Sequence, residues 1–165
     1  MPITRQEDLT FLERAPLQVQ TTHVVAHAPA VVFDALADTP SWPTWFPALR
    51  SAAWTSTAPY GIDSTRVVVV GPVRIHERFI AWEPGRQWGF TVTSTSPSVV
   101  RALVEVADLD DLGDGSTRIT YTLAAEPVLP RLVARRLGPG VGVGLKRGMI
   151  GLGHHLDATA TTPRP

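Results

Sequence analysis

Three ionisable side chains stand inside runs that otherwise read as β-strand. His76 and Arg78 lie in VRIHERFIAW and Glu105 lies in RALVEVADL. Successive strand side chains point to opposite faces, so parity decides whether these groups meet water or an interior. A buried imidazole beside a guanidinium stays neutral and takes up a proton near pH 7. A buried carboxylate needs a partner, because an isolated charge in an apolar interior is too costly. Glu105 is therefore either inward and paired or on the outer face in water. Tyr121 alternates with Ile119 and Leu123 in TRITYTLAAE, which sends its ring to the apolar face and leaves its hydroxyl for a ligand or a backbone partner. His76, Arg78 and Glu105 are the candidate catalytic residues, as acid-base or oxyanion-binding groups, with Tyr121 beside them.

One turn controls the face of His76 and Arg78. If Pro84-Gly85 is a two-residue turn, Phe79 faces Phe90, Ala81 faces Trp88, and Glu77 points inward with Val92. If the loop is Pro84-Gly85-Arg86, Trp82 opposes Trp88, Ile80 opposes Phe90, and His76 and Arg78 point inward. The second register pairs the larger apolar groups and is preferred. Its alternative leaves both residues at a cavity mouth or on the outer face.

Other chemistries find no support. The Gly-x-Gly repeats between Gly138 and Gly144 follow no strand of a βαβ unit, so a phosphate-cradling loop is not expected. His23 and His27 straddle a strand end, and His154-His155 has no third ligand placed nearby by sequence, so neither a metal nor another cofactor is expected. Ser41, Ser56 and Ser94 lack the glycines of a nucleophile elbow. Cysteine is absent, which removes disulfides, thiolate metal sites and cysteine nucleophiles.

The chain of 165 residues suits one domain with a sizeable core. Lys+Arg and Asp+Glu both number 15, so no net field favours nucleic acid or an anionic surface. Glu7, Asp8 and Glu13 interrupt any apolar leader, and no run reaches a membrane span, which implies a cytoplasmic protein without an integral membrane segment. Oligomeric state is left open.

Residues 1–17 read as an extension with a helical turn in DLTFLER, and QVQTTHVVA as the first strand. AVVFDALAD is a short amphipathic helix entered through Pro29, and SWPTWFPAL a second, aromatic-rich one. ALRSAAWTS, TRVVVV, VRIHERFIAW, QWGFTVTS, VRALVEVADL and TRITYTLAAE follow as strands joined by short turns, which makes an antiparallel meander of seven. Val141, Leu145, Met149, Leu152 and Leu156 continue a helical stripe begun by Val133 and Leu137. Pro139 inside that stripe predicts a break near Gly138, with the major piece from about Gly140 to Asp157. Residues 159–165 are expected to be a disordered tail beyond a domain of 18–158.

AHAPAVVFDALADTPSWPTWFPAL, ERFIAWEPGRQWGF and DGSTRITYTL together resemble the START-like and polyketide cyclase/dehydrase superfamily. The resemblance implies an α+β helix-grip fold, in which a curved seven-stranded antiparallel sheet wraps a long C-terminal helix and encloses a cavity. It implies a hydrophobic, lipid-like or polyketide-like small-molecule partner, with cyclisation or aromatisation as the enzymatic alternative. Trp54, Val68, Ile80, Trp88, Phe90, Leu103 and Tyr121 are the expected strand contributions to the ligand site. Val141, Leu145 and Met149 are those of the helix. Trp42, Trp45 and Phe46 form either a portal cap or an exposed patch for a protein partner. Gly140, Gly144, Gly148 and Gly151 share a second stripe of the helix, serving either close packing or open volume.

Overall fold

The computed structural model describes residues 3–161, apart from the side chains at 131, 132, 134, 135 and 137. A turn of helix, α1 (Phe11–Arg14), precedes β1 (Leu17–Val25). Two short helices, α2 (Pro29–Ala37) and α3 (Trp42–Trp45), follow, with a 3-10 turn at Thr39–Ser41 between them. Proline occupies the first turn of each, where its missing N–H is no loss. The meander comprises β2 (Leu49–Trp54), β3 (Thr65–Val70), β4 (Val73–Glu83), β5 (Gln87–Ser96), β6 (Val100–Asp111) and β7 (Thr117–Pro127). It is antiparallel throughout, in the spatial order β1-β7-β6-β5-β4-β3-β2, and the long α4 (Arg131–Thr161) closes the grip.

The α4 helix runs unbroken through Pro139, contrary to the break expected near Gly138. A proline ring disfavours helix mainly by crowding the preceding residue and by removing one donor. Gly138 has no Cβ to crowd, so what remains is the lost hydrogen bond and the contact of the ring with the carbonyl four residues back. The helix also continues to Thr161, into the segment expected as tail, of which 162–165 lie outside the described residues.

The β4–β5 hairpin combines the two expected registers. Glu83 pairs with Gln87 and Trp82 with Trp88, so Pro84-Gly85-Arg86 is the loop, with Gly85 at φ +70°. A bulge between Phe79 and Ala81 then inserts one residue, so that Phe79 pairs with Phe90 and Glu77 with Val92. Glu77 and Phe79 are consequently buried on the inner face. This corrects the preferred reading: His76 and Arg78 go outward because the extra residue inverts the parity of everything before it.

Two apolar clusters lie on opposite sides of the sheet. The larger is built on the inner face with α2, α3 and α4, around Trp42, Phe79, Trp88, Tyr121, Met149 and Leu152. The smaller, on the outer face, sets Phe11 and Ala15 of the N-terminal segment against Ala102, Val104, Val106 and Ala124. Ahead of α1, the chain enters the sheet itself. Pairing of β5 with β6 ends at Thr91–Val104, and beyond it the backbone N–H of Thr4 donates to Thr93 O at 3.0 Å and that of Arg5 to Arg101 O at 2.8 Å. The first residues thus fill the gap where the two strands splay. Gly89 lets β5 and β6 approach closely: a Cβ there would stand 2.8 Å from Glu105 O and Val106 Cγ2.

Candidate functional site

Alternation along β3 puts Arg66, Val68 and Val70 on the inner face, and Arg66 is 1 % exposed. Its Nε–H donates to Glu77 Oε2 on neighbouring β4, itself 3 % exposed, and its Nη1 lies 3.5 Å from Thr39 Oγ1. Four rings surround the guanidinium carbon, with centroids at 4.4 Å for Trp42, 4.9 Å for Trp88, 5.1 Å for Phe90 and 5.3 Å for Phe79. One cation is thereby held among aromatic groups by one acid, the arrangement that makes a buried charge tolerable.

Glu105 joins this group from β6. The Tyr121 hydroxyl, on β7, donates to its Oε2. Burial is the main cause that raises the Glu105 carboxyl from 4.5 to about 7, and the Tyr121 hydrogen bond opposes it. Glu77 is raised too by burial, with Arg66 pulling it back. Tyr121 is pushed well above its ordinary value by burial and by the adjacent carboxylate, so it remains a phenol donor. Near neutral pH the Glu105 carboxyl therefore exists in both protonation states.

Arg66, Glu77 and Glu105 form the polar floor of a cavity of about 290 Å³ between the sheet and α4. Val68, Phe90, Leu103 and Leu123 wall it from the strands, and Val141, Gly144 and Leu145 from α4. Phe46, Pro47 and Ala48, just after α3, stand at its side. A larger groove of about 580 Å³ runs between β1 and the Gly138–Gly142 stretch of α4, but it is shallow and has no buried charged group in its lining.

Of the residues singled out from sequence, Val68, Phe90, Leu103, Glu105, Val141 and Leu145 border the cavity. Tyr121 and Trp88 lie one layer behind it, against Glu105 and Arg66. Met149 is fully buried further along α4. Trp54 lies elsewhere on the inner face, stacked on Tyr60 at 4.0 Å. Ile80 is on the outer face, packed on the smaller cluster. His76 and Arg78 also face outward: Arg78 donates to Gln6 Oε1 at 3.0 Å and Asp63 Oδ1 at 2.5 Å, and His76 Nε2 is buried without a partner among the described residues. Trp42 and Trp45 are buried in the core, which removes the exposed-patch reading of the cap.

Arg66 and Glu77 are the residues of this candidate site that the sequence reading did not single out. The signal for Arg66 was present, since TRVVVV gives it the same parity as Val68. Glu77 belonged to the disfavoured register. Among the described residues no group of three or more His, Asp or Glu side chains could hold a metal ion, and no helix is long and apolar enough to cross a membrane.

The glycine stripe of α4 divides. A Cβ at Gly151 would collide with the Trp45 carbonyl oxygen, and one at Gly148 would stand 2.5 Å from Phe46 Cε2. At Gly140 and Gly144 it would meet nothing within 4 Å. Close packing thus accounts for one pair and open volume for the other.

Comparisons with known proteins agree with this architecture. Residues 16–155 match the family described as polyketide cyclase/dehydrase and lipid transport. Uncharacterised proteins of Mycobacterium tuberculosis and Mycobacterium bovis are 33 % identical over 154 residues, spanning 91 % of this chain and 90 % of theirs. A START superfamily protein from Mycobacterium smegmatis superposes with a TM-score of 0.73 at 16 % identity, over 86 % of this chain and 98 % of its own. An aromatase/cyclase from Streptomyces sp. R1128 does so with 0.65 at 13 %, over 87 % and 92 %. The two structural likenesses show a shared fold, and the family match extends from before β1 almost to the end of α4. With its curved sheet gripping one long helix in a START-like fold, the chain belongs to the polyketide cyclase/dehydrase and lipid transport family.

Proposed function

We propose that the protein binds one small hydrophobic or amphipathic molecule, lipid-like or polyketide-like, in the cavity between sheet and α4. The observation that carries this reading is an apolar chamber lined at one place by the buried pair Arg66 and Glu77 and by the half-buried Glu105. Such a site anchors an apolar body by burial, at about 25 cal/mol per Å², and orients it by a few polar contacts. A cavity of roughly 150 Å³ holds one benzene. The present volume of about 290 Å³ therefore suits a body of about a dozen non-hydrogen atoms, such as two fused rings. Binding would take place in the cytoplasm.

Native mass spectrometry of the purified protein, alone and with naphthol added, tests this. A one-to-one adduct that is lost when Val141 and Leu145 are both replaced by Trp supports it. Absence of any adduct, or binding that survives the filling of the cavity, overturns it.

A second reading, a cyclase or aromatase, is favoured by one observation. Glu105 has a carboxyl of pKa about 7 at the cavity and a phenol bonded to it, which is suitable for handing a proton to a departing hydroxyl and recovering one from carbon. Of the expected acid-base groups, Glu105 and Tyr121 meet at this cavity, while His76 and Arg78 do not. Turnover of a poly-β-ketone that disappears in Glu105→Gln with binding retained would establish this reading, and binding without turnover would leave a carrier.

A further inference from the structure

Among the residues that line the cavity, Arg66, Glu77 and Glu105 alone have ionisable side chains. The one other polar side-chain atom in the wall, Trp42 Nε1, already donates to Leu36 O at 2.9 Å. The charge held at the floor therefore decides what kind of polar end a ligand can bring.

Arg66 is matched to Glu77, and the rings of Trp42, Trp88, Phe90 and Phe79 occupy the surroundings of its guanidinium. Glu105 is faced by Tyr121 from β7, Glu77 from β4 and Arg66 from β3, while α4 presents Val141, Gly144 and Leu145 across the cavity. The one guanidinium is thus paired with Glu77, and among the described residues Glu105 is bonded to Tyr121 and forms no ion pair of its own. A ligand carboxylate would add a third acid, out of water, with no further cation to answer it. A hydroxyl or carbonyl adds no charge and can bond with either the donor or the acceptor form of Glu105.

We propose that the cavity selects an uncharged molecule whose polar end is a hydroxyl or a carbonyl, and rejects its carboxylate analogue, because Arg66 is already committed to Glu77 and no cation remains to balance a buried anion. This rests on the binding reading above and names its ligand class.

Isothermal titration at pH 6.5 with naphthol, naphthoate and naphthylmethylammonium compares one ring body under three charges. Naphthol is expected to bind at least about tenfold more tightly than naphthoate, and more tightly than the cation. Equal or tighter binding of naphthoate overturns the proposal, and so does preference for the cation. If the native protein binds none of the three, the binding reading itself falls, which is a different result from a wrong order among them.

Two variants sharpen the test. Glu77→Gln frees Arg66 and should move the preference towards naphthoate by about tenfold or more. Because that change breaks a buried pair, Glu105→Gln provides a second, milder probe that keeps the floor neutral at every pH. Naphthoate affinity should fall in the native protein as pH rises from 6 to 8, and should stay level in Glu105→Gln, while naphthol affinity stays level in both. An unchanged order in a folded Glu77→Gln variant, or the same pH dependence with and without Glu105, would count against the assignment.

Discussion

Around Gly148 and Gly151, α4 lies so close to the α3 turn that neither position has room for a methyl group, whereas a methyl at Gly140 or Gly144 would meet nothing within 4 Å, although Gly138 and Gly142 beside them face Leu17 and Val19 of β1. One helix with one repeated residue therefore does two things. At its C-terminal end glycine allows contact with Trp45 and Phe46, and the interior is solid around Met149, Leu152 and Leu156. At the other end glycine leaves space, and the interior holds a cavity and three ionisable groups. Replacement of glycine should carry opposite signs at the two ends, and charge should matter at the hollow end only.

The largest expected effect is at the hollow end. Glu77→Ala leaves the Arg66 guanidinium buried without its acid and should cost about 3–5 kcal/mol, read from urea unfolding. Loss below about 1 kcal/mol would mean that the aromatic rings alone suffice to hold the cation.

Glu105 gives the next effect, and it depends on pH. Its folded value of about 7 lies above the ordinary 4.5, so between these the folded chain holds a proton that the unfolded chain has released. Stability therefore falls as pH rises through that window, by up to about 3 kcal/mol from this group. Glu105→Gln should remove that slope and gain over the parent at pH 8, with any slope in the same direction from Glu77 remaining. Parallel pH profiles for parent and variant would refute the assignment.

At the solid end Gly151→Ala drives a Cβ into the Trp45 backbone and should destabilise by about 1–3 kcal/mol, visible as a lowered thermal midpoint. Gly144→Ala, in open space, should do the reverse. It gains about 1 kcal/mol from helix propensity while narrowing the cavity and weakening probe binding. Matching signs at 144 and 151 would erase the distinction between the two ends.

The architecture was legible in the sequence because strand alternation, turn residues and the apolar stripe of the last helix all point to one arrangement. Site residues were legible only where parity ran undisturbed. Val68, Phe90, Leu103 and Glu105 lie on stretches whose alternation could be followed, and all four border the cavity. Ile80 and His76 lie on β4, where a bulge exchanges the faces, and a bulge leaves no mark in residue type that the alternation rule detects. Arg66 was hidden differently. Its parity was readable, but a lone arginine beginning a valine run suggests a strand end in water, and only the four rings gathered from α3, β4 and β5 show why it can be buried.

The seat of the first residues between β5 and β6 has a practical side. Ile3 is bridged to Ser94, with its side chain 84 % exposed. Starting the polypeptide at Pro16 would strip the acceptors Val92 O, Thr93 O and Arg101 O of their donors and uncover the smaller apolar cluster, leaving an unzipped seam open to a neighbouring molecule. Shortened versions of this protein should therefore be chosen from the other terminus.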